Sequence, residues 1–219
     1  MMIDEEYVSR LENLVKQMLI PLKNIPFNLV VKLLSGKEVI PFNHNDSTDK
    51  ELIGILKDVA VEAGKQINEE GISRARANEV GNDIENFVKL SMQIYKLNPM
   101  TPTGKKGKKK SAGYPDLLFY HKDKPYYLEC KTYNLKNIKS TQRSFFFSPS
   151  EDFKVIYDTH HFLLSYEMYI TDRNIYNCKH WKILSIESLS LDLKHEFNSN
   201  NKRIYAAESG AILLAEGSI

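Results

Sequence analysis

Apolar residues at Tyr7, Val8, Leu11, Leu14, Val15, Met18 and Leu19 recur every three or four positions. That spacing predicts a helix over residues 3–19, ended by Pro21. Residues 27–34 are dense in apolar and β-branched side chains and predict a strand, turned by Ser35-Gly36. Asn45, Asp46, Ser47 and Thr48 offer N-cap side chains for a second helix from about Thr48 to Ala63, which Gly64 either stops or lets pass. A third helix is expected over residues 73–96, with Val80, Ile84, Phe87, Val88, Ser91 and Ile94 on one stripe.

Asn98-Pro99-Met100-Thr101-Pro102 breaks regular structure. Strand-like runs over 114–120 and 126–132 then flank the polar, proline-containing stretch 121–125, the pattern of a β-hairpin. Two further strands are expected over 162–170 and 175–186, turned by 172–174, and residues 189–197 have a helical period. This order implies an α/β fold with a mixed central β-sheet flanked by helices. No internal repeat or second domain is evident, so residues 1–219 are expected to form a single domain.

The hairpin carries the most informative chemistry. Pro115-Asp116 precedes its first strand, and Glu129-Cys130-Lys131 lies in its second. Side chains alternate along a strand, so Glu129 and Lys131 share a face and Cys130 takes the other, with Tyr126 and Leu128. A register that sets Asp116 opposite them gathers two hard oxygen ligands and one ammonium. Those groups suit a Mg²⁺ ion held beside a phosphodiester, and activation of a water.

This pattern resembles the signature of the PD-(D/E)xK nuclease superfamily: Pro-Asp, a spacer, then Asp or Glu, any residue, and Lys. Here twelve residues separate Asp116 from Glu129. The arrangement is most similar to the small type II restriction endonucleases, over roughly residues 70–200. The resemblance implies a restriction-endonuclease-like core at 66–200, with residues 1–65 as an accessory region. It implies Asp116, Glu129 and Lys131 as catalytic residues, with Asp116 and Glu129 as metal ligands. Members often carry a further Glu on a helix before the first core strand, a few residues after a Gly. Glu85, four residues beyond Gly81, fits that habit as catalytic residue and third ligand; Glu79 is the alternative. Lys131 would orient the attacking water, since a lysine beside two carboxylates stays charged. The implied activity is Mg²⁺-dependent, site-specific cleavage of double-stranded DNA by a homodimer, leaving 5′-phosphate and 3′-hydroxyl ends. Alternatives are a junction-resolving or repair nuclease on the same core, or a catalytically inert DNA-binding protein.

Charge adds little at the level of the whole chain. Thirty Lys and Arg against 28 Asp and Glu leave a formal net charge of +2, so phosphate binding must come from local clusters. Lys105, Lys106, Lys108, Lys109 and Lys110 form such a cluster just before the hairpin. They are either a solvated linker or a clamp on the DNA backbone. Asn82 would line a groove beside Glu85. Gln142 and Arg143 are candidates for reading base edges. Arg74 and Arg76 are candidates for phosphates. His160 and His161, adjacent on a strand, face opposite ways and are read as structural. Cys130 and Cys178 form no metal or disulfide pattern. No apolar run approaches a membrane span, and the N-terminal residues lack signal-peptide character. A cytoplasmic protein is expected.

Overall fold

The computed structural model describes residues 5–20, 22–76, 79–107, 113–136, 138–139, 145, 147, 152–172 and 174–193. The chain divides into two compact units, one comprising 1–25 and 191–219 and the other 26–190. The smaller unit contains α1 (Glu5–Met18), matching the expected first helix, and a two-stranded ribbon of β1 (Leu22–Pro26) with β7 (Ser190–Leu193). Residues 190–193 are therefore a strand where a helix was expected. Ser190-Leu191-Asp192-Leu193 alternates polar and apolar positions, and Asp192 accepts a hydrogen bond from the Asn24 amide. The remaining residues of the expected helix, 194–197, lie outside the described residues, as does the chain beyond them.

The larger unit is a five-stranded mixed sheet in the order β2-β6-β5-β4-β3. Its strands are β2 (Ile72–Ser73), β3 (Leu117–His121), β4 (Lys124–Tyr133), β5 (His161–Asp172) and β6 (Ile175–Ser185). β4 and β5 run parallel; every other neighbouring pair is antiparallel. Three helices accompany it: α2 (Phe27–Ser35), α3 (Ser47–Glu70) and α4 (Gly81–Ile94). The mixed α/β architecture expected from the element order is the one observed.

Helix α2 replaces the strand expected at 27–34. Phe27, Val31 and Ser35 are buried at a spacing of four, the helical period. Leu29 and Leu33 are exposed, and their apolar character hid that period in the sequence. Gly36 ends the helix at φ 73°, and its amide bonds the Lys32 carbonyl.

Helix α3 starts where its cap signal predicts. The Asp46 side chain accepts from the Thr48 and Asp49 amides. The helix then passes Gly64, because that glycine serves packing. A Cβ there would lie 3.3 Å from Cys178 Sγ, so the missing side chain brings helix and sheet together. The Tyr166 hydroxyl donates to the Ala60 carbonyl, and Asn68 bonds both the amide and the carbonyl of Cys178. Between Glu167 and Met168 the β5–β6 register shifts, and Asn68 completes the β6 backbone beside that bulge.

The expected third helix is shorter than predicted. Ile72 and Ser73 pair with Tyr176 and Ile175 of β6, and regular helix begins only at Gly81. Its stripe keeps the expected phase at Ile84, Val88 and Ser91, although Ile94 is exposed. Helices α3 and α4 cover one face of the sheet, where Ile84, Val88, Phe119, Tyr126, Leu128, Cys130, Phe162 and Tyr166 form the core. On the other side Phe27 packs edge-on against Tyr114 and His161.

Candidate active site

The site grows from the β3–β4 hairpin. Lys122 and Asp123 both take left-handed backbone conformations (φ 49° and 61°), which makes a two-residue turn whose twist matches its strands. Pro125 is therefore part of β4, opposite Tyr120, rather than part of the turn. The register pairs Leu117 with Leu128. One step further out, Asp116 stands opposite Glu129.

Hydrogen bonds tie the two acids together. The Cys130 amide donates to Asp116 Oδ2 at 2.8 Å, and the Asp116 amide donates to Glu129 Oε2 at 3.2 Å. Lys131, on the same face as Glu129, sets its Nζ 2.6 Å from Glu129 Oε1. The structure thus brings Asp116, Glu129 and Lys131 together at the end of one hairpin. Glu129 is only 3% exposed, whereas Lys131 keeps a quarter of its side chain open to solvent. Lys131 Nζ also lies 6.0 Å from the Phe145 ring centre.

Burial dominates the electrostatics. It pushes the Glu129 carboxyl up to about 7; the charge of Asp116 adds to this and Lys131 opposes it. Asp116 is also raised, first by burial, with the Cys130 amide and Lys131 pulling it back and Glu85 pushing it up. Cys130 lies behind the site, 4% exposed, with its thiol held well above the usual range by burial.

Helix α4 brings Glu85 within electrostatic reach of both Asp116 and Cys130. Glu85 does not join the hydrogen-bonded cluster. Its Oε1 is 2.5 Å from Lys89 Nζ, which also contacts Thr101 Oγ1 at 3.2 Å. Glu79 precedes the helix and acts instead on Arg74, whose guanidinium forks onto Asp83 at 2.7 and 2.5 Å. Asn82 is exposed in the first turn of α4. Lys105 and Lys106 are exposed in the loop leading to the hairpin. Lys108, Lys109, Lys110, Gln142 and Arg143 lie outside the described residues. The two histidines do face opposite ways. His161 Nδ1 meets the Tyr114 hydroxyl at 2.5 Å, while His160 Nε2 lies 3.3 Å from Asp49. Burial drives the His161 pKa down to about 3, so it is neutral.

One charged residue escaped the sequence analysis. Lys154 is 3% exposed, and its Nζ donates to the Gly113 carbonyl at 2.6 Å and to the Pro115 carbonyl at 2.9 Å. Its signal was a lysine set between Phe153 and Val155-Ile156, in a segment with no other mark of function.

The donor set fits a hard divalent cation. Two facing carboxylates, Glu129 buried and Asp116 half-buried, resist ionising together, and a cation between them would relieve that cost. Among the described residues no group of three or more His, Cys, Asp and Glu side chains is clustered for metal binding.

The type II restriction enzyme MjaV of Methanocaldococcus jannaschii is 37% identical over 220 aligned residues, spanning 93% of this chain and 95% of that protein. A solved structure, tetrameric restriction endonuclease SfiI bound to cognate DNA, is similar at TM-score 0.35 and 12% identity, over 66% of this chain and 67% of that one. The model of the type II restriction enzyme MjaV family matches residues 20–208. By this match and the 37% identity, the chain belongs to the type II restriction enzyme MjaV family.

Proposed function

We propose that the chain hydrolyses phosphodiester bonds at a specific sequence of double-stranded DNA, with Asp116, Glu129 and Lys131 as its hydrolytic centre. The observation that carries this reading is their convergence, Asp116 bonded to the Cys130 amide and Glu129 to both the Asp116 amide and Lys131. Asp116 and Glu129 would hold a divalent cation, Mg²⁺, with Glu85 as a third, more distant carboxylate. Such a cation supplies charge neutralisation at the scissile phosphate and lowers the pKa of a bound water. The backbone bonds to Asp116 and Glu129 fix both carboxylates before substrate arrives, so little reorganisation accompanies reaction. Lys131, held by Glu129 and partly open to solvent, is placed to orient the attacking water and to offset charge developing on the phosphoryl oxygens.

Lys105 and Lys106, exposed just ahead of the hairpin, would contact the DNA backbone together with Lys108, Lys109 and Lys110. Asn82, Gln142 and Arg143 remain candidates for contacts in the grooves. Two copies related by a twofold axis would match a palindromic duplex and cut one strand each, which supports a homodimer. A DNA substrate supports a cytoplasmic location for this activity.

Digestion of a plasmid of known sequence tests the reading. With Mg²⁺ the protein should give discrete fragments bearing 5′-phosphates, and with EDTA none. Cleavage only at branched junctions, or no cleavage of any duplex, would overturn it.

A further inference from the structure

We propose that Lys154 is a positioning residue for this hydrolysis, holding the Pro115–Asp116 peptide unit that presents both acids. This rests on the reading of Asp116, Glu129 and Lys131 given above. The Pro115 carbonyl accepts from Lys154 Nζ at 2.9 Å, and the amide of the same peptide unit donates to Glu129 Oε2 at 3.2 Å. One rigid, planar group therefore links a buried lysine on one side to a buried carboxylate on the other. A donor on the carbonyl polarises the peptide and strengthens donation by its N–H. The same unit begins Asp116, so its orientation sets where that carboxylate starts.

The neighbouring geometry gives this brace a second point of hold. Lys154 Nζ takes the Gly113 carbonyl at 2.6 Å, and two residues earlier the Asp152 carboxylate accepts the Lys106 amide at 3.0 Å. A Cβ at Gly104 would meet Asp152 Oδ1 at 2.2 Å, so that glycine lets the loop close onto the carboxylate. Segment 152–154 thus grips the chain at both ends of the lysine-rich stretch and at the first acid.

The variants Lys154→Met, Lys154→Gln and Asp116→Ala separate this role from packing. Met keeps the apolar stem and loses the donor; Gln keeps a donor without the charge. Single-turnover cleavage with Mg²⁺, binding to the cleaved duplex with Ca²⁺, the Mg²⁺-induced rise in Tm without DNA, and Tm itself are read for each. Lys154→Met should cleave about 100-fold more slowly, bind DNA within about twofold of wild type and lose most of the Mg²⁺-induced stabilisation, consistent with misplaced catalytic groups. Lys154→Gln should cleave faster than Lys154→Met, although its Tm is no higher. Should the Met variant not fold, a loss of at least tenfold in cleavage by Lys154→Gln, with binding kept, supports the proposal. Wild-type rate and Mg²⁺ response in a folded Lys154→Met, or in Lys154→Gln where the Met variant does not fold, beside an inactive Asp116→Ala, would overturn the role of Lys154 alone. An active Asp116→Ala would overturn the underlying site.

Discussion

Glu129→Gln isolates the tension within the site. Glu129 is 3% exposed, and burial together with Asp116 lifts its carboxyl from 4.5 to about 7. A folded-state pKa above the unfolded one means that stability is fully present below the unfolded value and is lost as pH rises through the folded value. The window here is about pH 4.5 to 7. That separation corresponds to roughly 3 kcal/mol. Gln keeps an oxygen for the Asp116 amide and carries no ionisation, and it also relieves Asp116 of a neighbouring charge. Metal-free wild type and Glu129→Gln should therefore be compared by urea unfolding in EDTA between pH 5 and 8.5. Stability of the variant relative to wild type should rise by roughly 2–3 kcal/mol across that range, most of it below pH 7.5. Mg²⁺ at pH 8 should stabilise wild type and leave the variant nearly unchanged. A difference that stays flat with pH, or falls, would show that the two acids are not in conflict and would refute the argument.

Three more outcomes follow from the same geometry. Lys131→Met should lower the single-turnover cleavage rate by about 10²–10⁴-fold and leave DNA affinity within a few-fold, measured by gel shift with Ca²⁺. Lys105→Ala and Lys106→Ala should each make the slope of log K against log salt shallower by about 0.9 if the side chain neutralises one phosphate, with little change in sequence preference. Ile84→Ala, at a position 0% exposed in the core beneath Glu85, should destabilise the protein by about 2–5 kcal/mol in urea unfolding.

The hairpin was legible because its physics is local. Alternation along 126–132 put Glu129 and Lys131 on one face, whereas the register that brings Asp116 to them stayed a condition until the two-residue turn at Lys122-Asp123 was known. Other elements depend on contacts distant in sequence. Residues 27–34 read as a strand because Leu29 and Leu33, exposed in the fold, are as apolar as buried Phe27 and Val31. Ile72-Ser73 became a strand only because β6 lies beside it, a pairing about a hundred residues away in sequence. The different surroundings of Glu85 and Glu79 depend on the helix start at Gly81, which leaves Glu79 ahead of the helix and acting on Arg74. Lys154 meets the Pro115 carbonyl across 39 residues, and no spacing rule links a lone lysine to a turn that far upstream.

Asp116→Ala examines the central assignment most directly, with binding and cleavage measured on one preparation. The variant should hold the duplex that wild type cuts, within about tenfold of wild-type affinity in Ca²⁺, and leave it uncut in Mg²⁺ after prolonged incubation. Cleavage at a rate near that of wild type would contradict the account, since the carboxylate bonded to the Cys130 amide would then be dispensable for hydrolysis.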